Sequence, residues 1–231
     1  MRVISVCLIV VSLLLASILP VFAQGKYQFS KVNRSLVEEA LQKIVPVRFL
    51  PGNPLYFLIS AKEAFSRFFQ PSAKERAQFD FVLSGKRLKE TYMILKKGDL
   101  NGASNNLEKY AYRNKKTVEQ IEKARAQNQA IEPAVATMTD FLRFHENLLA
   151  AIGQMRPDPI SDYGFDNNYK SAVDSFRQLV LKIDNIQPGV KNRFEITKDD
   201  EASSSPKIVE PTPTPTPFEA SPSYKPRRIL Y

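Results

Sequence analysis

Apolar residues recur along this chain at spacings of three and four, in segments that proline, glycine or short polar runs separate. Between Asn33 and Val45, residues Leu36, Val37, Ala40, Leu41 and Ile44 share one helical face. Ser35-x-x-Glu38 reads as a capping box for that segment, and Pro46 stops it. Asn53 can cap a second helix with Pro54 at its first position. That helix is expected to reach about Phe69, with Leu55, Leu58, Phe65 and Phe68 or Phe69 facing inward.

Ser72-x-x-Glu75 opens a longer helix to about Lys97, with Phe79, Val82, Leu83, Leu88 and Leu95 mainly on one side. Lys97-Gly98-Asp99 then reads as a compact joint. The lysine suits a C-terminal dipole, Gly98 a left-handed backbone, and Asp99 the cap of the next helix. That fourth helix runs to about Ala126, with Leu100, Ala103, Leu107, Tyr110, Ala111, Val118 and Ile121 at helical spacing. So short a joint implies antiparallel packing of the two helices it links.

A fifth helix is expected from Pro133 to about Ile152, stopped by Gly153, with Val135, Met138, Leu142, Leu149 and Ile152 as its stripe. Residues 154–167 read as a loop, and a last helix starts at Asp166 or Asn167 and runs through about Ile183. No segment alternates with period two, so a sheet is not expected. The predicted fold class is all-α: an antiparallel helical bundle built around a long helical hairpin over residues 33–186.

The two ends differ from this body. Met1-Arg2, an apolar run from Val3 to Leu19 and the small residues of Val21-Phe22-Ala23 form the tripartite pattern of a signal peptide over residues 1–23. Cleavage would fall before Gln24, leaving residues 24–32 as a short linker. The competing reading is an uncleaved anchor, since about 17 apolar residues span roughly 26 Å, marginal for a bilayer. Both place the remainder outside the cytoplasm, secreted or at the cell surface. Residues 187–231, with Asp199-Asp200-Glu201 and alternating proline and threonine from Pro211 to Pro217, read as a disordered tail. Within it the Pro-Thr run is a stiff spacer.

Charge and cysteine narrow the field. The net charge is +9, and residues 198–231 hold both signs equally, so the excess falls on the helical body. Such a surface favours anionic neighbours: wall polymer, lipid headgroup, acidic protein or nucleic acid. The single cysteine, Cys7, lies in the leader. A processed chain would hold no thiol, which removes disulfides, thiolate metal sites and cysteine nucleophiles.

Leu50-Pro51-Gly52-Asn53-Pro54-Leu55-Tyr56-Phe57-Leu58, followed by Lys62-Glu63 and later by Lys97-Gly98-Asp99, resembles an uncharacterised family of exported bacterial proteins. Its members carry an L-P-G-x-P-L-Y motif, then a helix, then a long helical hairpin. The resemblance covers roughly residues 47–125. It implies export and a helical hairpin but no activity. The family usually places Lys or Arg just after the motif, whereas Ile59-Ser60 follow here. Some members resemble extracytoplasmic parts of anti-sigma factors, but only Met1-Arg2 precedes the leader here.

Candidate chemistry is thin, and no catalytic, cofactor-binding or metal residues are assigned. His145 is the only histidine, at helical spacing from Phe141 and Leu149, and reads as a packing residue. Asp158, Asp162 and Asp166 fall four apart, unlike the alternating oxygens of a calcium loop. No phosphate-loop or dinucleotide fingerprint occurs. Lys86-Arg87-Lys89, Lys96-Lys97 and Arg113-Lys115-Lys116, with Tyr92, Tyr110 and Tyr112 among them, read as a basic, solvated helical surface. The expected function is that of an exported structural or interaction protein of the cell envelope, binding a protein or an anionic polymer through that surface. Contact with a membrane surface is a further reading, and nucleic acid ranks behind. The alternatives are a tetratricopeptide-like helical adaptor, then an extracytoplasmic enzyme.

Overall fold

The structure, a computed structural model, describes residues 29–156, 162–194 and 196. The expected leader with Cys7, the Pro-Thr run and Asp158 lie outside the described residues. Among the described residues six α-helices follow in order: α1 Arg34–Lys43, α2 Tyr56–Phe68, α3 Ala73–Leu95, α4 Leu100–Ala126, α5 Glu132–Met155 and α6 Tyr163–Asp184. Among the described residues there is no strand. The fold is all-helical, with the helices packed on one another.

Local chemistry sets several boundaries. Ser72 Oγ accepts from Glu75 N at 3.1 Å while Glu75 Oε2 accepts from Ser72 N at 3.2 Å, so the capping box at the start of α3 forms. Gly98 takes φ +81°, and Asp99 Oδ1 accepts from Gly102 N at 2.8 Å. The chain therefore turns from α3 into α4 where a left-handed residue and an acidic cap stand together.

Other expectations are corrected. Ser35-x-x-Glu38 does not cap: α1 starts at Arg34, so Ser35 already lies inside it, and Glu38 pairs with Arg34 at 2.8 Å. Asn53 closes a turn by accepting from Leu55 N at 2.9 Å, and α2 begins only at Tyr56. Gly153 does not stop α5, which continues to Met155. A Cβ there would collide with the Tyr169 hydroxyl, so glycine lets α6 approach. Asp162 starts α6 a turn earlier than expected, accepting from Phe165 N at 2.8 Å. Phe29 and Val32 pack against the core, within the stretch read as linker. The body also extends past Ile186, because Val190, Phe194 and Ile196 are buried around a 3₁₀ turn at Lys191–Arg193.

Helix α3 is central, with α4, α5 and α2 all packed against it. Its expected stripe is only partly right. Leu83, Leu88 and Leu95 are buried, but Val82 is exposed and Phe81, Ala77 and Ile94 take the interior places. A helix with neighbours on several sides buries polar positions as well, and Asp80, Ser84, Glu90 and Thr91 are all buried. The apolar core proper lies between α3, α4, α5 and α6, around Leu107, Tyr110, Ile121, Leu142, Leu149 and Phe176.

Candidate functional site

Helix α2 lies on α3 with its polar side inward. Tyr56, Glu63 and Arg67 recur at helical spacing and all turn toward the body. Glu63 is only 8% exposed and accepts from both Lys86 and Arg87 of α3. Arg87 Nη1 also donates to Glu90 Oε2 at 2.8 Å, and the Tyr56 hydroxyl donates to the same oxygen at 2.9 Å. Lys86 Nζ stands 3.6 Å from Glu90 Oε1. Two carboxylates and two cations thus balance in a buried cluster, with the Lys86 and Arg87 charges 5.9 and 5.7 Å from the Tyr56 ring centre.

A second knot sits one turn further along. Asp80 is fully buried and takes Arg67 through both oxygens, with Nε–Oδ1 and Nη2–Oδ2 each 2.9 Å. Arg113 of α4 reaches Oδ1 of the same carboxylate at 2.7 Å. The planar guanidinium matches a carboxylate in this two-pronged geometry. Hydrogen bonding to Asp80 holds the Arg67 pKa above its ordinary value. For Arg87, burial opposes the charge, but Glu90 and Glu63 outweigh it and the pKa is raised. Burial, reinforced by the Glu90 charge, pushes the Tyr56 phenol far up, so it stays a donor at all physiological pH.

The expected basic surface is therefore not a surface over much of its length. Lys86, Arg87 and Arg113 are held in ion pairs. Lys89 Nζ donates to the carbonyls of Leu41 and Ile44, closing the C-terminal end of α1. Lys96, Lys97 and Lys115 remain exposed.

The outward side of α2 is the reverse of what periodicity suggested. Phe57, Phe65 and Phe68 are 65, 67 and 79% exposed, and Leu55, Leu58 and Phe69 are also exposed. Residues 57, 61, 65 and 68 follow one helical line opposite Tyr56 and Glu63. Phe65 and Phe69 touch at 4.6 Å between ring centres, and Phe68 meets Phe69 edge-on at 5.4 Å, so the rings form one patch. With about 150–250 Å² per phenylalanine side chain, the four rings leave roughly 400–700 Å² of apolar surface in water. At about 25 cal/mol per Å², that is roughly 10–17 kcal/mol of transfer free energy left unrealised. The exposed area is at or above the roughly 300–600 Å² of the largest apolar patch on a typical soluble monomer, a feature that is often functional.

His145 lies elsewhere, on α5, and is fully buried against the α3–α4 pair. Its ring stacks on Phe81 at 4.8 Å, and Tyr110 Oη stands 3.5 Å from Nδ1. A Cβ at Gly85 would come within 2.7 Å of Nε2, so glycine makes room for the ring. Burial lowers the His145 pKa to about 3 and keeps it neutral. It borders a largely apolar groove of about 540 Å³ between Lys43–Pro46, α3 and α5.

Of the three spaced acids, Asp162 caps α6, and Asp166 pairs with Arg156 at 3.0 Å and Lys170 at 2.7 Å. Among the described residues no cluster of His, Cys, Asp or Glu could hold a metal, and no helix is long and apolar enough to cross a membrane. No family model, curated protein or solved structure matches this chain.

Sequence reasoning missed the Tyr56–Glu63–Lys86–Arg87–Glu90 cluster. One signal was present: Glu63 is the only acid between Gln42 and Lys74, and it is the residue that α2 buries.

Proposed function

We propose that this chain is an exported interaction protein of the cell envelope, without catalytic chemistry of its own. It is a bundle built around the α3–α4 hairpin, and it presents α2 as its contact surface. One observation carries this reading. The polar side of α2 is committed to internal ion pairs, while its phenylalanines face outward, Phe65, Phe68 and Phe69 in one patch. A helix laid down this way is oriented by charge, so its apolar face is held in place before any partner arrives. The contact moves from the basic surface of α3 to α2, because Lys86, Arg87 and Arg113 are occupied internally. The leader-like residues 1–23 and the resemblance of residues 47–125 to an exported family support the compartment.

The test is photo-crosslinking in cells with the full chain, after fractionation. A benzophenone amino acid at position 65 is expected to give adducts in the envelope fraction, and the same group at exposed Tyr163 on α6 is not. Recovery in the cytoplasm, or adducts from position 163 alone, would sink the reading.

A further inference from the structure

The occupant of the α2 face follows from the charges around it. From Gln42 to Lys74 the sequence holds one acid, Glu63, and that residue is buried between Lys86 and Arg87. Of the basic residues in the same stretch, Arg67 is paired with buried Asp80, while Lys43, Arg48 and Lys62 are exposed. Lys62 lies on α2 itself, at the flank of the aromatic line. The outward face of α2 is thus apolar and aromatic, carries the exposed cation of Lys62 at its flank and has no exposed acid of its own.

We propose that this face seats α2 in the interfacial layer of an anionic lipid bilayer, as the lipid-contacting element of the interaction protein described above. The inference rests on that reading and names its partner. A helix lying in the interface needs a ring-rich apolar face to enter the acyl boundary and cations to meet the headgroups. It also needs its remaining polar groups satisfied. Here the body satisfies the bulkiest of them: Tyr56, Glu63 and Arg67 are bonded to α3, so none of these three meets lipid unpaired. A protein groove would need matching shape, and nothing beyond apolarity is specified by these rings. The exposed Lys62, in contrast, favours anionic headgroups and makes binding salt-sensitive. The expected apolar run at Val3–Leu19, cleaved or not, leads the chain to a membrane before α2 is made.

The chain has no tryptophan, so a single introduced indole reports one position. Full-length protein carrying Phe68→Trp is mixed with vesicles of phosphatidylglycerol and phosphatidylcholine whose acyl chains are brominated near the headgroup. A parallel sample carries Tyr163→Trp on α6. The indole from Phe68→Trp should shift to shorter wavelength and lose most of its emission, whereas that from Tyr163→Trp keeps it. Lys62→Glu should weaken the quenching on anionic vesicles and leave the weak response on pure phosphatidylcholine unchanged. If the chain sediments with vesicles while the Phe68→Trp indole is unquenched, a different segment binds lipid and the proposal is overturned. A blue shift that depends on protein concentration and not on lipid also overturns it, in favour of a second copy on this face. That last outcome leaves the broader interaction reading standing, and adducts absent from position 65 in cells would remove both.

Discussion

The seam between α2 and α3 and the core between α3, α4 and α6 use opposite materials on two sides of one helix. On the core side, Leu88, Leu107, Ile121 and Phe176 are sealed in apolar contact, and polar links such as Asn168 Nδ2 to Ser104 Oγ at 2.9 Å lie between them. On the α2 side, α3 offers Lys86, Arg87, Glu90 and Asp80, and the phenylalanines of α2 are turned away. Apolar burial is large and indifferent to orientation. Buried ion pairs contribute little net stability, because desolvation offsets much of their attraction, but they are costly to break. The core therefore supplies stability, and the charged seam supplies the angle at which α2 is held.

The largest expected effect breaks the core side. Phe176→Ala removes a fully buried ring and should cost about 3–5 kcal/mol of global stability. It is read as a fall in the denaturant midpoint with an unchanged slope. A loss below about 1 kcal/mol would mean that the core is loosely packed and the contrast with α2 is false.

Next comes the seam. Glu63→Gln leaves Lys86 and Arg87 facing Glu90 alone, one positive charge in excess and buried. The expected cost is about 3 kcal/mol, confined to the release of α2. Hydrogen exchange should quicken at residues 57–68 and stay slow at residues 103–124. Unchanged protection of α2 would show that apolar contact, not Glu63, holds it.

These two results bear on what the sequence could reveal. The helices were legible wherever a local signal set their ends. Ser72 with Glu75, and Gly98 with Asp99, needed only neighbouring residues. The facing of α2 was not legible. Periodicity gives the axis along which a helix is two-sided but not which side meets the body. Here the choice was made by Lys86, Arg87 and Glu90, more than twenty residues away. Gly153 misled for the same reason: its role is the approach of Tyr169 from α6, a contact that no local pattern records. In Val190, Phe194 and Ile196 the apolar residues were visible but too sparse to form a periodic stripe.

A smaller effect comes from His145, the histidine on the core side. Its ring is kept neutral because burial lowers the folded pKa to about 3, while the unfolded imidazole takes a proton near 6.5. The stability it contributes is whole above pH 6.5 and is lost as the pH falls from 6.5 toward 3. The slope is up to roughly 1.4 kcal/mol per pH unit. Between pH 6.5 and 5, ahead of most carboxylate titration, wild type should lose stability faster than His145→Gln. Equal slopes would mean that the ring is charged or hydrated in the folded state.

The smallest effect is expected where the eye sees the most hydrophobic residue. Phe68 is 79% exposed, and its one aromatic contact among the described residues is the edge-on meeting with Phe69. Phe68→Gln replaces it with a good helix former, so backbone preference does not oppose the change. Little area leaves the folded interior, and the shared contact with Phe69 is open to water on its outer side. The melting free energy should therefore stay within about 0.5 kcal/mol of wild type, as for other surface positions. Solubility should rise, because the patch is interrupted at its most exposed ring. Set beside Phe176→Ala, the same residue type then differs by several kcal/mol on the two sides of α3. If Phe68→Gln instead costs more than about 2 kcal/mol in the lipid-free chain, the ring is covered in solution, and α2 is no longer an open contact face. Repeating that melt over a tenfold range of protein concentration identifies the cover. A cost that grows with concentration points to a second copy, and a constant one to the chain folding back upon itself.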